Sequence, residues 1–262
     1  MDLGIRGKAA IVGGASSGIG AAIAERLAAE GCSLLIWSRE QTHLAPIAAR
    51  LHERYSVDVA MAAVDAADPD APEVLAQAVA SSLGIADICV LNAGGPSPVD
   101  PLATDAAGWL AAFQSLAITP ILLASRLIEP MRERRWGRIV ACLSWSVKEP
   151  IRELVYSTGG RSALTAWMKT IAPVVAADGV TVNGILTGPT ATSRVEALDR
   201  DRAEREARDL DDVRAERISS IPAGRLGEPA ELASLAAYLC GEQAGFQTGT
   251  LTLVDGGLVR AL

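Results

Sequence analysis

Short apolar, β-rich runs alternate with longer helical stretches from one end of this chain to the other, and few architectures tolerate that order. Strand-like runs over 9–13, 33–37, 57–64 and 87–92 are each followed by a helical pattern, over 19–30, 43–55, 72–83 and about 105–134. The second half continues the rhythm, with strands at 138–143, 180–186 and 250–254 and helices at 157–177 and 229–240. Such alternation is the signature of βαβ units feeding a parallel sheet covered by helices on both faces. No Pro/Gly/Ser-rich linker and no fixed-period repeat interrupts it, so 1–262 reads as a single α/β, doubly wound Rossmann-type domain.

At 262 residues such a domain buries enough surface to need neither disulfide nor metal. Cys32, Cys89, Cys142 and Cys240 lie far apart, and His43 and His52 are the only histidines, which argues against a zinc site or a His-based triad. A net charge of −7 argues against a nucleic-acid partner. The start of the chain has no secretory apolar region, and the run over 116–128 is short and broken by Pro120 and Arg126; the expectation is a soluble, cytoplasmic protein without a membrane span.

One stretch departs from the rhythm. Over 194–217, 16 of 24 residues are charged, and Asp201/Arg205 and Glu204/Arg208 have the spacing of helical ion pairs. It reads either as one solvated surface helix or, because it follows a strand's carboxyl end, as part of a lid over a cleft at about 192–225.

After the first strand comes Gly13-Gly14-Ala15-Ser16-Ser17-Gly18-Ile19-Gly20. Glycines between a strand and a helix let a pyrophosphate reach the backbone amides of the helix N-terminus. With Asn92-Ala93-Gly94 after the fourth strand, Thr181-Val182-Asn183 in the sixth, and Gly249 with Asp255-Gly256-Gly257 near the end, the chain resembles the classical short-chain dehydrogenase/reductase family over nearly its whole length. The resemblance implies a seven-stranded parallel sheet, a homotetramer, and a nicotinamide cofactor held across the strand tips by Gly14, Ser16, Ser17, Gly18, Ile19, Gly20, Asn92, Ala93 and Gly94. It also implies that Asp65 and Ala66 meet the adenine and that Thr187, Gly188 and Thr192 hold the carboxamide. Many NAD-dependent relatives end the second strand with Asp; here Ser38 and Arg39 stand there, a hydroxyl and a guanidinium suited to a 2′-phosphate. NADP(H) is therefore expected ahead of NAD(H).

At the catalytic positions the family pattern changes. The family places a Ser about 13 residues before a Tyr, and a Lys four beyond it. Ser144 matches the first, but Ser157 and Arg161 occupy the other two places, and Leu116 stands where relatives carry Asn. Tyr156 is one residue early. Positions five apart lie about 140° apart around a helix, so on a regular helix Tyr156 does not share the face of Arg161. It is a proton donor only if it acts from the entering loop or if Gly159-Gly160 opens the first turn; otherwise it is a pocket wall or a packing aromatic. Ser144, Tyr156, Ser157 and Arg161 form the candidate catalytic set. The leading expectation is an oxidoreductase interconverting a small-molecule carbonyl and alcohol with a non-standard site. A nucleotide-binding sensor or assembly partner, and a non-redox enzyme on the same scaffold, are the alternatives. Apolar residues on the long helices, among them Leu110, Phe113, Leu164, Trp167 and Ile171, are expected at the oligomer faces.

Overall fold

The computed structural model describes residues 1–261; Leu262, the last residue of the expected domain, lies outside them. Seven strands form one parallel sheet: β1 (Ala9–Gly13), β2 (Ser33–Ser38), β3 (Val59–Ala63), β4 (Ile88–Leu91), β5 (Gly137–Cys142), β6 (Val180–Thr187) and β7 (Leu251–Val254). Their order is β3-β2-β1-β4-β5-β6-β7. The chain winds outward from β1 to β3 and then returns to the other side of β1 through β4. The reversal leaves a crevice at the carboxyl ends of β1 and β4, the place where doubly wound sheets bind ligands.

Because helices cover both faces, the strands are apolar throughout rather than alternating. Val12, Leu34, Ile36, Val90 and Val140 pack under α1 (Gly18–Ala29), α2 (Gln41–Tyr55) and α9 (Pro229–Cys240). Ile11, Leu35, Cys89 and Ile139 face the other way, toward α3 (Ala71–Ser82), α5 (Thr119–Glu133) and α6 (Val155–Val175). Each fully buried Leu or Ile contributes about 1.5–3 kcal/mol. At the opposite, amino-terminal end of the sheet, buried Arg138 of β5 donates to the carbonyls of Gly241, Gly137 and Gly179 at 3.1, 2.9 and 3.2 Å and stacks on Trp136. That end is thereby cross-tied.

The long helix expected at 105–134 is two helices, α4 (Ala106–Phe113) and α5, joined without a loop by a π-helical turn over Gln114–Ile118. Ala106–Glu133 is long and apolar enough to cross a membrane by length and composition. Here Leu123, Leu127, Ile128 and Met131 sit in the core, while Leu110, Ile118 and Leu122 are exposed. Leu164, expected at an outer face, is core as well, since its position on α6 turns it toward the sheet.

The charged segment is not one helix but a helical hairpin, α7 (Ser193–Glu206) and α8 (Leu210–Ser220). It breaks at Ala207, which takes the left-handed conformation (φ 49°). Asp201 pairs with Arg205 at 3.0 Å, as its spacing predicts. Arg208, carried out of helical register by the break, pairs instead with Glu206 at 3.0 Å and with Glu216 of α8 at 2.6 Å. Arg202 also bridges to Glu216, at 2.6 Å. The pairs are mostly exposed, each worth about 0–1 kcal/mol, and they fix the hairpin's shape more than its stability.

Candidate active site

The turn after β1 is built to approach a ligand closely. Gly14 (φ 57°) and Gly18 (φ 55°) take left-handed conformations that disfavour side chains. A Cβ on Gly20 would stand 2.2 Å from the Gly14 carbonyl oxygen, so the turn and the first turn of α1 touch backbone to backbone. Ser17, the N-cap of α1, makes no side-chain cap, and the first turn carries no acid, which leaves the amino-terminal amides facing the crevice. Across from them, a Cβ on Gly94 would meet nothing within 4 Å. Open, amide-lined and glycine-walled, this cradle fits a pyrophosphate and an adjoining ribose.

Two cavities open from it. The larger, about 840 Å³, runs toward the ends of β2 and β3 and is lined by Ser16, Ser38, Arg39, Glu40, His43, Asp65 and Ala66. Arg39 is exposed, and the Ser38 hydroxyl donates to the Glu40 carbonyl at 3.3 Å. The smaller, about 260 Å³, lies over the ends of β4, β5 and β6 and is lined by Gly18, Ile19, Gly20, Asn92, Ala93, Ser144, Ser157, Arg161, Gly188 and Thr192. Gly14, Ser17, Gly94 and Arg194 border both. Two chambers with a shared phosphate cradle match the two halves of a dinucleotide.

Ser144 follows β5 and caps a short 3-10 turn. Its Oγ accepts the Ser146 amide at 3.1 Å, so its own proton is available to the cavity. Arg161 reaches the same cavity from α6. Its Nη1 donates to the Cys142 carbonyl at 2.7 Å, its Nη2 to the Ala93 carbonyl at 3.1 Å, and its Nε to Ser157 Oγ at 3.3 Å. One guanidinium thereby ties the ends of β4 and β5 together and holds a hydroxyl. Burial, with the facing Arg194 as a smaller cause, pushes Arg161 down to about 10, so it remains a cation at neutral pH. The structure therefore brings Ser144, Ser157 and Arg161 together.

It turns Tyr156 away from these three, onto the wall of the larger cavity. Helix α6 is helical from Val155, so Tyr156 leaves on the side of α4. Its hydroxyl accepts the Asp105 amide at 2.8 Å, and its ring meets Trp109 edge-on with centroids 5.0 Å apart. Gly108 makes the room: a Cβ there would stand 2.3 Å from the Tyr156 hydroxyl. Gly159 and Gly160 do not open the helix. They admit Trp109 and Leu116, whose atoms would lie 2.6 and 2.9 Å from added Cβ atoms. Tyr156→Phe is expected to leave turnover within about threefold while costing about 1–2 kcal/mol of stability. Kinetics beside a denaturant titration check it; a hundredfold loss of turnover would return Tyr156 to the chemistry.

The remaining expected ligands sit on the cavity rim. Thr187 donates to the Leu143 carbonyl at 3.0 Å, which leaves its oxygen, rather than its proton, to a ligand. Gly188 must be glycine, since a Cβ would lie 2.5 Å from Asp255 Cα, and Thr192 caps α7 by accepting the Val195 amide at 3.4 Å. Asn92 ties the β1 and β4 ends by donating to the Gly13 carbonyl at 3.0 Å. Sequence reasoning missed Arg194, submerged in a charge-rich run. Its signal was positional: it is the second residue of α7, where the helix dipole disfavours a cation.

The family model described as enoyl-(acyl carrier protein) reductase matches residues 14–259, nearly the whole chain. The chain belongs to the short-chain dehydrogenase/reductase family. Among curated members, it is 29% identical over 263 residues to the 3-oxoacyl-[acyl-carrier-protein] reductase of Haemophilus influenzae, covering 97% of this chain and 99% of the relative. It is 30% identical to the acetoacetyl-CoA reductase of Cupriavidus necator, covering 95% and 97%. Among solved structures, the L-sorbose reductase of Gluconobacter frateurii, complexed with NADPH and L-sorbose, superimposes with a TM-score of 0.94 at 32% identity over 100% of both chains. The seven-stranded parallel sheet and the glycine turn after β1 fit that membership.

Proposed function

We propose that this protein is an NADP(H)-dependent oxidoreductase interconverting a small-molecule carbonyl and alcohol, with a Ser-x-x-x-Arg pair in place of Tyr-x-x-x-Lys. The observation that carries this reading is the meeting of Ser144, Ser157 and Arg161 in one cavity that opens onto the glycine cradle. Bound there, the cofactor would supply a hydride to the carbonyl carbon. Ser144 Oγ–H, held by the Ser146 amide, donates to the carbonyl oxygen and polarises it. Ser157 Oγ–H donates its proton to that oxygen as the alkoxide forms, and Arg161, in contact with Ser157 Oγ, stabilises the serine oxyanion until water reprotonates it. Arg161 acts as a fixed charge; its carbonyl partners hold it beside the reacting oxygen.

Ser38 and Arg39 at the adenosine chamber support NADP(H) over NAD(H), as does the NADPH complex of the sorbose reductase. The test is direct: the protein is expected to bind NADPH at least tenfold tighter than NADH, to lose that preference in Arg39→Ala, and to oxidise NADPH with a carbonyl acceptor. Equal cofactor affinities, or NADPH binding with no acceptor among ketones, aldehydes and oxo acids, would favour the sensor reading.

The α7–α8 hairpin is proposed as the lid over the smaller cavity, to which it contributes Val195, Leu198 and Arg217. Exposed Leu110, Ile118 and Leu122, with half-buried Phe113, Trp167 and Ile171, support a homotetramer built on the α4–α5 and α6 faces. Light scattering at the mass of a single chain would overturn that assembly. Four buried free thiols, three of them (Cys32, Cys89 and Cys142) pushed up to about 12 by burial, are consistent with a cytoplasmic location.

A further inference from the structure

The smaller cavity carries a charge pattern that carbonyl reduction alone does not require. Three arginines line it, Arg161, Arg194 and Arg217, and among the described residues no carboxylate does. Arg217 is neutralised from outside the cavity wall by buried Asp199, at 2.5 Å. Among the described residues, neither of the other two has a carboxylate partner within salt-bridge distance. Arg161 is held by backbone carbonyls and Ser157, and Arg194 reaches across the crevice to donate to the Pro96 carbonyl. Arg161 spends three of its five N–H groups on those contacts, which leaves two for a ligand.

The two guanidiniums face one opening. A methyl-sized group on Gly95 would lie 3.3 Å from Ser157 Oγ and 3.6 Å from Arg194 Nη2, and Ser157 Oγ itself touches Arg161. Two cations turned toward each other in a partly desolvated space cost stability unless an anion joins them. Arg194 also sits at the second position of α7, where it opposes the helix dipole; an anion beside it would reverse that cost. One side of the wall is apolar, from Trp145, Ile151, Leu154 and Leu198, and the whole space, which a bound cofactor would share, is about 260 Å³.

We infer that the substrate is a 2-oxo carboxylic acid with a short apolar side chain, its carboxylate seated between Arg194 and Arg161 and its carbonyl on Ser144 and Ser157. The 3.3 Å contact between Ser157 Oγ and Arg161 Nε puts the charge site directly beside the carbonyl site, which favours a carboxylate attached to the carbonyl carbon itself. This deepens the carbonyl-reductase reading and rests on it. It also sets the protein apart from relatives named for a neutral sugar or for thioesters.

The probe pair is 2-oxohexanoate and its methyl ester, which differ in charge but share the carbonyl. In the native protein kcat/KM for the acid is expected to exceed that for the ester at least tenfold. Arg194→Met is expected to cut the acid's kcat/KM about 30-fold and to shrink the acid-to-ester ratio by at least ten, with Arg194→Lys recovering part of the loss. Calorimetric titration of both probes into the NADP⁺ complex separates this inference from the catalytic one. Binding of the acid over the ester that disappears in Arg194→Met supports the anion site even where nothing is reduced. Equal binding of acid and ester overturns it even where carbonyls are reduced. So does an Arg194→Met variant whose NADPH dissociation constant rises by the factor lost in acid turnover, since Arg194 would then serve the cofactor's pyrophosphate.

Discussion

Gly20→Val is expected to abolish cofactor binding, raising the NADPH dissociation constant more than a hundredfold. A Cβ at this position would stand 2.2 Å from the Gly14 carbonyl oxygen, 2.6 Å from its carbon and 2.7 Å from the Gly13 oxygen. All three are backbone atoms, so no side chain can swing aside. Either the turn moves off α1, and the amides that face the crevice lose their alignment, or the helix start unwinds. Both outcomes remove the phosphate site while β1 and the core beneath it persist. Fluorescence titration with NADPH, with circular dichroism to confirm the sheet, reads the result; binding within threefold of native in a folded variant would show that the phosphate lies elsewhere.

Ser144→Ala should lower kcat/KM by about 10² to 10³, the range for a donor aimed at a developing oxyanion. The lost hydroxyl is the one whose oxygen is already occupied by the Ser146 amide, so its contribution is a directed proton. NADPH affinity should change less than threefold, because the phosphate cradle is formed by other residues. Ser157→Ala is expected to match it within tenfold, and the double variant to fall short of the product of the two losses, since the hydroxyls act on one oxygen. Full additivity in the double-variant cycle would place Ser157 outside the reaction centre.

The order of strands and helices was legible because each apolar run carries its own period, and the structure departs from it mainly by a residue or two at element ends. The angular relation of Tyr156 to Arg161 followed from helical geometry alone, since α6 is regular from Val155. The hairpin was not legible. Its break falls at Ala207, a good helix former held left-handed without a Gly or Asn to announce it. Nor did the Gly159-Gly160 pair disclose its use, because a glycine that opens a helix and one that admits a neighbouring side chain are the same letter. Trp109 and Leu116, tens of residues upstream, decide between them. Arg194 was hidden for a similar reason: among seven arginines and nine acids, a charge that turns inward is distinguished only by what it faces.

Arg161 binds the β4 and β5 ends through the Ala93 and Cys142 carbonyls with the same group that is proposed to act beside the reacting oxygen. Scaffold integrity and chemical competence are therefore a single selectable trait at this position. A library sorted only for expression or heat resistance would still enrich arginine at residue 161, even in backgrounds where turnover is disabled. Engineering the proton-transfer chemistry would likewise begin with a debt in rigidity, to be met first by a new tie between those two strands. Lysine, with one compact ammonium, cannot span both carbonyls as a planar fork does, so placing a lysine here means rebuilding the brace before the chemistry.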